Sequence, residues 1–357
     1  MLEVRAPEAM ARVALIVADP GLSLVGSRGR ISQPSPGLAL IDGDTLLVGE
    51  DARRTSRLKP RRVHSRFWEL LDTQPLERPF PRHLRSADLV HAHLSDFWSN
   101  AGGDAEEAIL VVPGVYSNEQ LALLLGIANA ADIPVCGLVD LGVAAAADRD
   151  IRDRCFHLDL HLHRAILTEI ENGKEVARGR VWEFEGAGLV RFYDLWARAV
   201  ARLLVRQTRF DPLHLAVTEQ LLYLELPRHL ERLTERETTR VSIASGGKNH
   251  SIDLSRDDLM TAGRNATDLI AGWVGEKADP DNATILVSDF MASVPGLVDR
   301  LLETTDSEVE VLHPAAAGSA ALGHAAHIVT RAESLPLITR LPAYDARPPG
   351  PVTVPVT

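Results

Sequence analysis

Aromatic residues are scarce in this chain, 5% for Phe, Trp and Tyr together, so aliphatic and alanine side chains have to build its core. Cysteine is scarcer. Cys136 and Cys155 are the two in 357 residues, and both sit in apolar, strand-like contexts without metal-type spacing. That excludes a disulfide framework and a cysteine zinc site, and it reads as reduced thiols in a cytosolic protein. Positive charge is in deficit too. A formal net charge of -11 lends no global support to a phosphate-backbone partner, so nucleic acid is not expected. Long apolar runs are missing: the longest, around Leu121–Ala131, is broken by Asn129 and bounded by Gln120 and Asp132. The sequence therefore predicts no signal peptide, no membrane span and a cytoplasmic location. What is present, 45% hydrophobic and 24% charged residues, suffices for one large soluble unit or two modest lobes with ample core.

The pattern alternates strands and helices. Val13–Val17 reads as a strand that ends in the turn Asp19-Pro20-Gly21, and Leu22–Val25 returns from it. Leu38–Ile41 and Leu46–Val48 form a hairpin around Gly43-Asp44, and Phe67–Leu71 starts a helical pattern. Helical spacing follows over Ser86–Ser99. Then come the strand Ile109–Pro113, the helix Asn118–Ala131, the strand Val135–Val139 and an Ala-rich helix start. A strand from Cys155 through Leu162 toward Ile170 opens the second half, and Asn172-Gly173 signals a hairpin with Glu175–Trp182. Helices are expected over Leu189–Gln207, over Thr218–Thr234 with a break at Pro227, and over Arg256–Val274. Thr239–Ala244 and His250–Leu254 flank the turn Gly246-Gly247. Thr284–Val287, a turn at Ser288–Ser293, the helix Val294–Leu302, the strand Glu308–Leu312 and the helix Gly318–Ile328 complete the ordered part.

The segment Ala108–Ala147, together with Pro34-Ser35 and Val48-Gly49-Glu50-Asp51-Ala52 around the first hairpin, resembles the DnaK-type heat-shock chaperones of the actin-like ATPase superfamily. The likeness runs from about Val13 to Ala326. It implies an α/β, two-lobed actin/heat-shock-chaperone ATPase-like fold. Residues 1–151 would form lobe I, 152–312 lobe II, 313–345 a C-terminal helix region returning toward lobe I, and 346–357 a disordered tail. No peptide-binding domain is expected after Ile328.

In that family, two glycine-rich hairpins grip the phosphates of ATP, because only a residue without a Cβ lets backbone N–H groups approach phosphate oxygens closely. The resemblance puts Asp19-Pro20-Gly21-Leu22-Ser23 where the family has Asp-Leu-Gly-Thr-Thr. Asp159-Leu160-His161-Leu162-His163-Arg164-Ala165-Ile166 stands where it has Asp-Leu-Gly-Gly-Gly-Thr-Phe-Asp. Asp140 takes the place of a water-orienting Glu, and Arg66 is the least poor match to the catalytic lysine. Ser288-Asp289-Phe290 replaces the glycines of the adenosine turn. Asp19, Asp140 and Asp159 thus read as vestigial catalytic acids. Gly21, Ser23 and Asp159 are what remains of a phosphate and magnesium side, for Mg-ATP or Mg-ADP if the site binds a nucleotide.

The expectation is a DnaK-like protein with a degenerate nucleotide site, a pseudo-ATPase that works through a protein partner, a paralogous DnaK-like chain being one candidate. The alternative is an ATP-binding chaperone-like or actin-like ATPase with an unorthodox phosphate site. On a continuous strand, His157, Asp159, His161 and His163 would share one face. They are expected to fill the vacated phosphate cleft rather than to hold a metal. Gly186-Ala187-Gly188 is too short a match to a phosphate loop to carry weight. The basic run Arg53–Arg66 reads as an ion-paired, solvated face, with docking of an acidic partner as the alternative; Leu221–Thr239 is a second candidate contact face.

Overall fold

The computed structural model describes residues 12–26, 29–103, 105–151, 154–278, 283–330 and 335–344. The tail expected at 346–357 lies outside them.

The chain is a mixed α/β structure with two principal sheets. Each is built in the same order. In the first, the strand Arg12–Ile16 lies inside the sheet, Ser23–Val25 returns antiparallel on its edge side, and Glu107–Val112, then Val135–Asp140, add in parallel on the other. In the second, Arg154–Leu160 is central, Arg164–Asn172 and Glu175–Glu185 meander antiparallel on one side, and Thr284–Val287, then Glu308–Val311, add in parallel on the other. The inner parallel strands Glu107–Val112, Val135–Asp140 and Thr284–Val287 are largely aliphatic and buried, as strands covered on both faces must be, whereas the edge strand Glu308–Val311 alternates acidic residues with valine and is partly exposed. The chain's end ties the sheets together. Leu337–Ile338 pairs with the first sheet and Arg340–Pro342 with the second.

Between the sheets lies a core of small side chains. The helix Leu141–Ala146 is buried along its whole length and packs with Ala316–Gly323 against residues of both sheets. Alanine and glycine dominate here because the backbones run close. A Cβ on Gly318 would sit 2.5 Å from Val25. Two larger cores flank this layer. One packs the helices Leu189–Thr208 and Arg256–Ala278 on the second sheet; the other packs Ser86–Ala101 and Asn118–Ala130 on the first.

Three local expectations are corrected. Phe67–Leu71 is no helix but a run of turns, and it plugs the core with Phe67, Trp68 and Leu71, each at most 2% exposed. The helix Ala216–Glu235 runs through Pro227 unbroken, since packing of Leu222, Leu226 and Leu230 outweighs one lost hydrogen bond. The strand expected through Leu162 stops at Leu160, and residues 161–163 form the turn of a hairpin.

Candidate functional site

Equivalent corners of the two sheets carry acids. Asp19 follows the strand Arg12–Ile16 of the first sheet, and Asp159 sits near the end of Arg154–Leu160 in the second. Both are 4% exposed. The chain turns at His161, and that imidazole comes to rest between them. Its Nδ1 lies 2.9 Å from Asp19 Oδ1, and its Nε2 lies 3.3 Å from Asp159 Oδ2. The second contact is an ion pair with poor hydrogen-bond alignment. Each carboxylate also takes a backbone N–H from the second hairpin: Leu162 donates to Asp19 and Leu160 to Asp159, both at 2.9 Å.

Burial alone would push the imidazole toward its neutral form. The charge of Asp19, with the contacts to Asp159 and Asp19, outweighs it and raises the His161 pKa to about 10. Burial works against the Asp159 carboxylate too, but His161, His157 and the Ser288 hydroxyl hold its pKa down to about 2. His157, buried beside them, has its pKa pushed down by burial. The result is a buried Asp–imidazolium–Asp cluster.

Around Gly21 and the second hairpin, backbone donors and open faces are taken up by the chain itself. Gly21 lacks a Cβ, yet its bare face is covered: a Cβ there would meet Pro34 at 2.5 Å and the Phe290 ring at 3.1 Å. At the second hairpin, His161 N–H bonds to the Arg164 carbonyl at 2.8 Å. Gly188, before the helix Leu189–Thr208, touches that turn. A Cβ on it would lie 2.3 Å from the Leu162 carbonyl, and the helix's first N–H groups, Leu189 and Val190, bond the carbonyls of His161 and Leu162 at 2.9 and 3.0 Å. Donors that could face an anion at a helix start are thus spent on the hairpin. The glycine is there for close packing.

Ser23 is buried and, with Asp159, His157, Ser288 and Asp289, lines a cavity of about 60 Å³. Small-molecule pockets usually run to about 300–1,000 Å³. Instead of a glycine turn, Ser288 caps the short helix Asp289–Ala292 through the Met291 N–H. Burial, and then the Asp159 charge, push the Asp289 carboxyl up to about 6.

Asp140 does not join Asp19 and Asp159. Its Oδ1 caps the helix Leu141–Ala146 by accepting the Val143 N–H at 3.1 Å, and its Oδ2 pairs with Arg178 at 3.1 Å. Burial raises its pKa against both contacts. Arg66 points to Glu69 at 3.2 Å. His163 leaves the other histidines and pairs its Nε2 with Ser65 Oγ at 2.9 Å, so the four alternating residues share no face. Among the described residues no cluster of His, Cys, Asp and Glu is arranged to hold a metal ion.

Within Arg53–Arg66 most charges are satisfied in the molecule. Arg53 and Arg54 pair with Glu50 and Asp51, Lys59 and Arg62 with Asp42. Arg57 reaches across to the second half of the chain. It pairs with Asp194 at 3.2 Å and Glu219 at 3.7 Å, and its guanidinium lies 3.5 Å above the Tyr223 ring. Gln220 adds two bonds to the backbone at Arg57 and Arg53. Beneath this clasp is a cavity of about 430 Å³, lined among others by Arg53, Arg57, Tyr193, Tyr223 and Leu162.

Two features went unread in the sequence. One is the bridge made by His161, whose partner Asp19 is remote in the chain. The other is Phe290, which covers Gly21. An unglycined hairpin turn was the available signal for the first; nothing local announces the second. No family model and no curated protein matches the chain, and no helix among the described residues is long and apolar enough to cross a membrane.

Proposed function

We propose that this chain is a two-lobed, actin-like protein of DnaK type whose nucleotide site has become an internal ion cluster, and that it serves as a non-hydrolysing interaction protein. The observation that carries the reading is His161. An imidazolium between Asp19 and Asp159 supplies from within the positive charge that a bound magnesium would bring to two such acids. It stands in the gap where two phosphate hairpins would converge. Support for the fold comes from the strand order repeated in the two sheets, with an acid at the same corner of each. Support for lost hydrolysis comes from the covered Gly21, the spent N–H groups of Leu189 and Val190, and the 60 Å³ left over. A protein that keeps such a scaffold without the chemistry retains its surfaces, and protein docking is the use they suggest.

The larger cavity under the Arg57 clasp favours a second reading, a ligand-binding ATPase-like protein with a displaced site. It is of ligand size and carries two arginines. Thermal unfolding with and without Mg-ATP and Mg-ADP separates the two. The proposal expects no shift of the midpoint by either nucleotide; a saturable rise would favour the second reading.

A further inference from the structure

The helix Leu189–Thr208 buries Phe192, Trp196, Val200 and Leu204 and turns its other face to solvent. On that outer face Arg198, Arg202 and Arg206 stand four residues apart, all exposed. Arg209 ends the helix in the left-handed conformation, at φ 61°. Four residues advance a helix by about 6 Å, so the row spans about 16 Å. Unlike the paired residues of Arg53–Arg66, these four guanidiniums meet no carboxylate and no carbonyl among the described residues. In a chain of net charge -11, an unpaired row of four cations on one helix is a concentrated exception.

Beside the row runs an open groove between the helix and the following turn, floored by Ala201, Val205 and Leu213. At the start of the next helix Leu215 is 53% and Val217 63% exposed. One acid faces the groove, Asp211, and its carboxylate accepts the Leu213 N–H at 2.9 Å.

The geometry points to a docking face for an acidic amphipathic helix of a partner protein. Glutamates or aspartates four apart on such a helix match the arginine spacing, and its apolar stripe fits the groove beside them. The negative charge of the whole molecule opposes extended polyanions such as nucleic acid or an anionic bilayer. A helix brings its acids on one narrow face and its apolar residues on the next. This proposal gives a surface and a chemistry to the partner inferred above. It leaves the Asp19–His161–Asp159 cluster untouched, so its failure would not count against the sealed-site reading.

The test is a fluorescence-anisotropy titration with a labelled helical peptide of about 18 residues, glutamates four apart and leucines on the adjoining stripe. Saturable binding is expected, weakening as salt rises from about 0.05 to about 0.5 M. The combined variant Arg198→Glu, Arg202→Glu, Arg206→Glu should lose about tenfold or more in affinity, while Arg54→Glu and Arg61→Glu together change nothing. Should the triple variant fail to fold, Arg→Gln at the same three positions is expected to weaken binding in the same direction. Absence of binding to the native protein would overturn the proposal. So would equal binding by a folded variant, or tighter binding to phosphatidylserine vesicles or to single-stranded oligonucleotide than to the peptide.

Discussion

At the scale of single residues, His161 gives the cluster a definite pH signature. The folded protein holds the imidazolium proton more tightly than an unfolded chain, whose histidine titrates at its ordinary value of 6.5. The stabilisation is therefore complete below about 6.5 and is lost as pH rises toward about 10. Urea unfolding of the native protein and His161→Gln should differ most near the lower limit, and the gap should narrow steadily toward the upper one. A gap independent of pH would mean that the ring packs without its charge. Asp140 works differently. Its removal by Asp140→Ala deprives a buried helix of its cap and Arg178 of its partner, and should cost about 2–4 kcal/mol in the same urea assay. Of the three acids singled out from the sequence, Asp19 and Asp159 converge and Asp140 does not. The motif positions located all three. Which of them meet depends on the Asp19–His161 contact, made between distant parts of the chain.

Elements were easier to read than contacts. Strands such as Glu107–Val112 and Thr284–Val287 are short aliphatic runs between turn residues, and the helix Asn118–Ala130 lies where the strand–helix order put it, with Ser117 as its cap. Phe67–Leu71 misled because large apolar residues at close spacing suit a helix as well as a buried turn, and only the core around Trp68 and His93 decides between them. The hairpin turn at 161–163 was masked by alternation, which marks a strand but not its end. That turn and the helix Leu189–Thr208 are one packed unit, joined at Gly188. Gly188→Ala places a methyl 2.3 Å from the Leu162 carbonyl. Differential scanning calorimetry should show a loss of about 1–3 kcal/mol. A neutral effect would mean that the helix start can part from the turn, and that its N–H groups are free for an anion after all.

For the molecule as a whole, the Arg57 clasp and the small-residue layer around Leu141–Ala146 join the first half of the chain to the second from two sides. The layer is apolar and tightly packed, whereas the clasp is polar and half exposed, so opening should start at the clasp. Arg57→Ala should speed amide exchange in the segments around Asp194 and Gln220 while leaving Leu141–Ala146 protected. Equal acceleration in both would mean that the halves open as one. The central proposal is that the His161 imidazolium stands where an ATPase would hold magnesium and phosphate, and that the chain does not hydrolyse ATP. Steady-state phosphate release from Mg-ATP measures that claim most directly. The prediction is no release above the buffer rate, for the native protein and for Asp159→Asn alike. Release by the native protein that disappears in Asp159→Asn would contradict it.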